Sequence, residues 1–359
     1  MPKEQLSSQL RALMSRSLVP ENSVAEEEFN RLALALFAFQ REHVPIYREL
    51  CERRKAGPES IRNWRDIPPV PTSAFKDYEV SSIPAKERTR VFHSSGTTGQ
   101  VPSRHFHDAE SLSLYEASLL PWFQHHFFDL QPPPMKLLSL TPEIAPHSSL
   151  VHMFTTVRRH FGTPDSLFTG SLDSNDAWSL DLARTLAAVR EAVGENKPIG
   201  LLGTAFSFVQ LLDHLHSVGK RFALPKGSRV METGGYKGRT RTVPKGLLRL
   251  KLGKFLGVPA SHVLGEYGMS ELSSQAYDNA SGIFHFPPWA RACVISSETG
   301  AASGEGETGL LRMFDLANIG SVMAVQTEDL AVRRGDGFEL LGRAASAEPR
   351  GCSLMPEVP

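Results

Sequence analysis

Apolar residues return every three or four positions along Glu26–Gln40, where Phe29, Leu32, Leu36 and Phe39 share one face. Acidic Glu26–Glu28 stand at the end where a helix dipole is positive, so the spacing predicts an amphipathic helix. Ile46, Tyr47 and Leu50 extend that face beyond Pro45. Pro68, Pro69 and Pro71 cannot lie inside a helix, and Asp66–Pro71 therefore reads as an extended connector closing an N-terminal helical region. Asp108 is placed to cap a helix running to about Leu120, with Leu112, Tyr115 and Leu119 on one side. Gln131–Pro134 breaks the chain, and Lys136–Leu140 then reads as a short buried strand. Leu180–Val193 is a second amphipathic helix, ended by Gly194. Beyond it, the strand Pro198–Thr204, the helix Phe206–Val218 closed by Gly219, the strand Arg229–Glu232 and the helix Leu247–Leu256 alternate. Such alternation predicts an α/β fold with a mainly parallel sheet.

The pattern changes after about Gly282. Ala292–Ser296, Gly309–Phe314 and Val322–Gln326 are short β-like runs between Gly/Ser/Glu turns, which reads as a smaller β-rich subdomain. The expected division is 1–90 helical, 91–281 an α/β core, 282–343 β-rich and 344–359 a tail. A chain of 359 residues with 41% hydrophobic and 22% charged residues is ordinary for a globular protein with a sizeable core. Lys plus Arg equals Asp plus Glu, 39 each, so no global field favours nucleic acid or an acidic membrane. Met1–Arg16 is polar and lacks the apolar core of a signal peptide, and no run is long enough to span a bilayer. Cys51, Cys293 and Cys352 are odd in number and far apart, which argues against disulfides or zinc. A cytoplasmic protein is expected.

Chemistry concentrates in three stretches. The run His93-Ser94-Ser95-Gly96-Thr97-Thr98-Gly99 follows the strand-like Thr89–Phe92 and offers hydroxyls and glycine-permitted turns that suit phosphate oxygens. It lacks the Gly-Lys-Ser/Thr ending of a Walker A loop, and a plain surface turn is the alternative. Met231-Glu232-Thr233-Gly234-Gly235-Tyr236-Lys237-Gly238 follows a strand, where open α/β sheets bind ligands. Its glycines allow close approach to a flat ring, and Lys237 or Arg239 could face phosphate; a solvated turn is the alternative. In Glu266-Tyr267-Gly268-Met269-Ser270-Glu271, Tyr267 could stack on a base and Glu271 is a hard oxygen ligand suited to Mg²⁺. The pairs His105/His107, His125/His126 and His214/His216 lack completing ligands and read as solvated or core histidines.

Ser94–Gly99 together with Tyr267–Glu271 resembles the phosphate loop and Tyr-Gly-x-Thr/Ser-Glu motif of acyl-adenylate-forming enzymes. Within them the chain resembles the LuxE-type acyl-protein synthetases, relatives of the phenylacetate–CoA ligase-like enzymes. Pro71–Lys76, Leu202–Phe206, Met231–Arg239, Phe314–Asn318, Gln326–Leu330, Gly342-Arg343 and Arg350-Gly351-Cys352-Ser353 carry the likeness along nearly the whole chain. The resemblance implies a large adenylate-forming α/β domain, ATP and Mg²⁺ as cofactors, and a fatty or other carboxylic acid as substrate. Ser94, Ser95, Gly96, Thr97, Thr98 and Gly99 would hold the ATP phosphates. Gly234 and Gly235 would lie against adenine, with Tyr267 stacked on it and Gly268 and Met269 in the same turn. Ser270 would touch the α-phosphate, Glu271 would ligate Mg²⁺, Asp329 would bind the ribose hydroxyls, and Arg343 would sit near ribose and phosphate.

Two departures qualify the likeness. Gln100-Val101-Pro102-Ser103-Arg104 has no lysine where typical adenylate-forming ligases have a Pro-Lys pair. Sixteen residues follow Arg343, too few for the swinging C-terminal domain, which makes ordinary CoA ligation unexpected. Cys352, beside Arg350, matches the cysteine that accepts the acyl group in LuxE-like proteins, and a neighbouring cation favours its thiolate. The acceptor beyond it would be an acyl-CoA-reductase-like protein or an acyl carrier protein. Direct transfer to CoA or a carrier, and a non-catalytic binding subunit, are the alternatives. Leu150, Met153, Phe154, Phe206 and Phe208 are candidates for an acyl pocket, although core packing explains them as well. Cys51 and Cys293 read as buried, inert thiols.

Overall fold

The computed structural model describes residues 1–16, 24–94, 101–128, 134–172, 178–234, 243–278 and 280–344. Helices α1 (Lys3–Arg16), α2 (Glu26–His43) and α3 (Pro45–Arg53) come first, followed by strand β1 (Val70–Pro71) and the short helix α4 (Ala74–Asp77). Phe29, Leu32, Leu36 and Phe39, the face expected of α2, are buried. The helix does not run on through Pro45. Val44 intervenes in extended conformation and Pro45 opens α3, where a missing N–H costs nothing. Tyr47 and Leu50 still bury, now from a separate helix. Strands β2 (Arg90–His93) and β3 (Arg104–His107) form a two-stranded sheet of their own.

Helix α5 (Ala109–Phe127) starts where Asp108 was expected to cap it, with a reciprocal capping box between Asp108 and Ser111. Its end is a correction: α5 passes through Pro121 instead of stopping near Leu120. Proline there forfeits the bond to the carbonyl of Ala117, and burial of Phe123 and Phe127 on one face offsets that loss. Strand and helix then alternate as β4 (Lys136–Pro142), α6 (Ser149–Phe161), β5 (Leu167–Leu172), β6 (Trp178–Leu180), α7 (Leu182–Glu195), β7 (Ile199–Thr204), α8 (Ala205–Ser217), β8 (Arg229–Thr233), α9 (Lys245–Leu256) and β9 (Val263–Tyr267). Gly194 is also corrected, because it lies inside α7. Asn196, at φ 53°, makes the left-handed cap that glycine was expected to make. Gly219 does close α8 with φ 63°, its N–H bonded to the His216 carbonyl. The chain ends in strands β10 (Ala276–Asp278), β11 (Ile283–His285), β12 (Ala290–Ile295), β13 (Thr308–Asp315), β14 (Ala324–Arg334) and β15 (Gly337–Arg343).

Among the described residues thirteen strands form one sheet, in the order β12-β13-β14-β15-β11-β10-β9-β8-β7-β4-β5-β6, with β1 paired to β14. The pairs β5–β4, β4–β7, β7–β8 and β8–β9 are parallel, so their carboxyl ends share one edge. Leu137, Leu202, Met231 and Leu264 face α5 and α6, while Leu138, Leu201, Val230 and Val263 face the layer of α7, α8 and α9. Burial on both faces explains the near-continuous apolar runs of these strands. The β-like runs after Gly282 are antiparallel and continue the same sheet, packed against α1, α2 and α3 in a shared cluster. No helix among the described residues is long and apolar enough to cross a membrane.

Candidate nucleotide and acyl site

The carboxyl edge of the parallel strands brings two of the sequence motifs into contact. Ser94, where the Ser/Thr/Gly loop begins, bonds to the Ser103 backbone in both directions: Ser94 N–H donates to the Ser103 carbonyl at 3.2 Å, and Ser103 N–H donates to the side-chain Oγ of Ser94 at 2.9 Å. Ser103 Oγ then donates to Glu271 Oε1 at 2.5 Å, and Ser270 Oγ donates to Glu271 Oε2 at 2.8 Å. Both carboxylate oxygens are thereby aimed by hydroxyls. From β3, His105 Nδ1–H donates to the Ser270 carbonyl at 2.7 Å, and burial drops its pKa to about 4, which keeps the ring neutral. Behind the motif, Asn318 Nδ2 donates to the Glu271 carbonyl at 2.8 Å, and Asp315 accepts from the N–H groups of Ser273 and Ser274. The turn carrying Glu271 is held from two sides.

The neighbouring edge carries Tyr267, Asp329 and Arg343. Asp329 and Arg343 are direct cross-strand partners on β14 and β15. Tyr267 OH donates to Asp329 Oδ2 at 2.7 Å, and Arg343 Nε lies 3.7 Å from Asp329 Oδ1. Burial raises the Asp329 carboxyl above its ordinary value, against the Tyr267 hydroxyl and the Arg343 charge, which hold it down. The Tyr267 ring packs edge-on against Phe284, Phe286 and Phe338. Gly234 adopts φ 69°, a backbone that side chains rarely accept, and a Cβ there would meet nothing within 4 Å. A Cβ on Gly268 would collide with Glu266 Oε1, so a side chain there would have to displace the Glu266 carboxyl. Met269 is half-buried against the cluster shared with α2.

Beneath these turns lies an acidic layer. Thr233 Oγ1 donates to Glu266 Oε2, and burial pushes the Glu266 carboxyl up to about 7. Glu232 is raised by burial as well, with Lys245 Nζ 3.5 Å from its Oε1. Asp278 is neutralised by Lys245 and Arg249, each at 2.5 Å.

Ser95, Gly96, Thr97, Thr98, Gly99, Gly235, Lys237 and Cys352 lie outside the described residues. Cys51 is buried as expected, its thiol pushed up to about 11, whereas Cys293 on β12 is only half-buried, although desolvation still raises its thiol. Of the acyl-pocket candidates, Met153, Phe154 and Phe208 are core residues. His105 and His107 are buried in the core. Ser103, His105 and Thr233 support the site, although the sequence reading gave none of them a role there. Ser103 falls in the stretch noted for its missing lysine, and nothing but its proximity to the loop signalled it. Among the described residues no three His, Cys, Asp or Glu side chains converge to hold a metal. A cation here would be held by Glu271 together with phosphate oxygens and water, the arrangement Mg²⁺ favours.

A sequence profile of the LuxE acyl-protein synthetases matches residues 6–357. The long-chain-fatty-acid–luciferin-component ligase of Vibrio harveyi is 22% identical over 341 residues, covering 90% of this chain and 86% of the relative. The protein of the same name from Aliivibrio fischeri is 22% identical over 343 residues, with the same coverage of 90% and 86%. Among solved structures, an open conformation of 2-hydroxyisobutyryl-CoA ligase in complex with 2-HIB-AMP and CoA superposes with a TM-score of 0.65 at 12% identity, covering 89% of this chain and 71% of that one. That likeness shows a shared adenylate-forming fold, and the profile match shows the family. The chain belongs to the LuxE acyl-protein synthetase family, ATP-using ligases that activate a carboxylic acid as its acyl adenylate.

Proposed function

We propose that this enzyme adenylates a fatty acid, transfers the acyl group to Cys352 as a thioester, and delivers it to a partner, an acyl-CoA-reductase-like protein or an acyl carrier protein. In this reading residues 91–281 bind the nucleotide and acyl group, 282–343 complete the ribose side, and 344–359 supply the acceptor thiol. The observation that carries it is the joint between Ser94, Ser103, Ser270 and Glu271, which ties the start of the Ser/Thr/Gly loop to the acidic motif. Ser94–Gly99 hold the triphosphate, and Glu271 would hold Mg²⁺, which would supply charge neutralisation to the phosphates. Asp329 takes the ribose hydroxyls with Arg343 beside it. Gly234, Gly235 and Tyr267 enclose the adenine, while Lys237 faces phosphate.

The chemistry needs no general base. The substrate carboxylate attacks the α-phosphorus, a carboxyl–phosphorus bond forms, the α–β bridging bond breaks, and pyrophosphate leaves. Alignment and neutralisation of the leaving charge are what the protein contributes. The Cys352 thiolate then attacks the acyl carbonyl and AMP departs. ATP–pyrophosphate exchange with a panel of acids, followed by intact-protein mass, tests both steps. Acid-dependent exchange and a hydroxylamine-labile acyl mass that disappears in Cys352→Ser are expected. Exchange without an adduct would replace the thioester step by direct transfer, and no exchange with any acid would refute activation.

A further inference from the structure

The face of the sheet covered by α5 carries a polar row at its carboxyl edge. Thr204 pairs with Thr233, Thr233 with Glu266, and Glu266 with Tyr277, which puts four side chains at one level on one face. One level earlier the same face is apolar, formed by Leu202, Met231 and Leu264. Thr204 is engaged in capping α8, and Thr233 donates to Glu266. Among the described residues the Tyr277 hydroxyl has no partner, although the residue is only 1% exposed. His107 Nε2, on a residue also 1% exposed, has none among them either. Both groups adjoin one buried cluster that holds Phe92, Tyr115 and Tyr277: the His107 ring lies 5.0 Å from the Phe92 ring and 6.2 Å from the Tyr115 ring, and burial, with the Glu266 charge after it, raises the pKa values of Tyr115 and Tyr277. Buried polar atoms are paired almost without exception, so two unpaired ones around one aromatic group point to a missing partner.

The surroundings define that partner. Glu266 and Glu232 disfavour a second carboxylate, burial holds His105, His107 and His152 below their ordinary pKa values, and the cations of this layer, Lys245 and Arg249, are engaged by Glu232 and Asp278. A phenol and a neutral imidazole match a hydroxyl or carbonyl oxygen. The position suits an acyl group, since Glu266 beside Tyr277 lies directly under the Gly268 turn, one residue past Tyr267.

We propose that Tyr277 and His107 form a subsite for a neutral oxygen substituent, hydroxyl or keto, on the acid that this enzyme activates. The inference rests on the acyl-activation reading. The test is pyrophosphate exchange with matched pairs of acids, each straight-chain acid against its mono-hydroxylated counterparts, in wild type and Tyr277→Phe. The wild type should favour one hydroxylated acid by about 10- to 100-fold in kcat/KM, and the variant should bring that ratio near one while keeping exchange with the plain acid. The ratio is internal to each preparation, so loss of folded protein cancels. A wild-type ratio near one, or a ratio unchanged in Tyr277→Phe, overturns the subsite but leaves activation standing. A structural water between the two groups would lower thermal stability in the variant without moving the ratio, and that pattern overturns it too. Exchange with no acid overturns activation and the subsite together.

Discussion

Removing one oxygen from Tyr267 tests the ribose side of the site. Tyr267→Phe keeps the ring among Phe284, Phe286 and Phe338 and deletes only the donor to Asp329, a bond of 2.7 Å to a carboxylate whose side chain is 14% exposed. Hydrogen bonds to charged groups contribute about 1.5–3 kcal/mol, so urea unfolding at pH 8 should show a loss in that range. In a double-mutant cycle with Asp329→Asn, the coupling should be about 1–2 kcal/mol, because the two residues share one contact. Tyr267 stabilises the charged form of a carboxyl whose pKa burial raises, so its contribution is largest above that pKa and shrinks as acid protonates Asp329. If Asp329 grips the ribose, losing its orienting donor should raise the KM for ATP about tenfold, equivalent to about 1.4 kcal/mol. Coupling under about 0.5 kcal/mol with an unchanged KM would refute the reasoning.

Glu271→Gln should lower acid-dependent exchange about 100-fold or more at unchanged secondary structure, because the charge facing the cation is lost; retained exchange would remove Glu271 from the site. Ser103→Ala should destabilise by about 1.5–3 kcal/mol in urea unfolding and slow exchange, since it cuts the joint between loop and motif. For Glu266, the folded carboxyl sits at about 7, above an unfolded value of 4.5, so the folded state binds the proton more tightly and stability falls as pH rises from about 4.5 to 7. Glu266→Gln should flatten that fall by about 1–3 kcal/mol when unfolding free energies at pH 5 and pH 8 are compared, with Glu232 and Lys245 the charged neighbours. Mass mapping after brief iodoacetamide treatment at pH 8 should find Cys352 modified first and Cys51 spared until unfolding.

Elements with a strong local period were legible in the sequence. The face of α2, the Asp108 cap and the alternation from β4 to β9 follow from side-chain spacing within a single element. The misjudged ends have local rules overridden by packing: Pro121 is tolerated because Phe123 and Phe127 bury beyond it, and Asn196 takes the left-handed cap two residues after Gly194. The site was legible where composition is unusual, as in Glu266–Glu271. Ser103 and His105 were not, because a serine and a histidine acquire meaning only when β3 lies against residues some 165 positions later. Asp329 and Arg343 came from resemblance alone, and their cross-strand pairing gives the physical reason they occur together.

Gln40, wholly buried in α2, donates to the Asn318 carbonyl and accepts from Met323 N–H, and Asn318 in turn holds Glu271. These contacts join segments 278 residues apart. At the pace of translation, about 5–20 residues per second, α2 leaves the ribosome roughly 15 to 55 s before its partner exists. During that interval Gln40 lacks both of its hydrogen-bond partners, and the α2 face has only the N-terminal segments to pack on, such as Trp64 against Phe29 at 5.2 Å. The acidic motif acquires its final geometry only once synthesis has passed Met323. A ribosome stalled earlier would release a chain that holds most of the parallel sheet and has no assembled site.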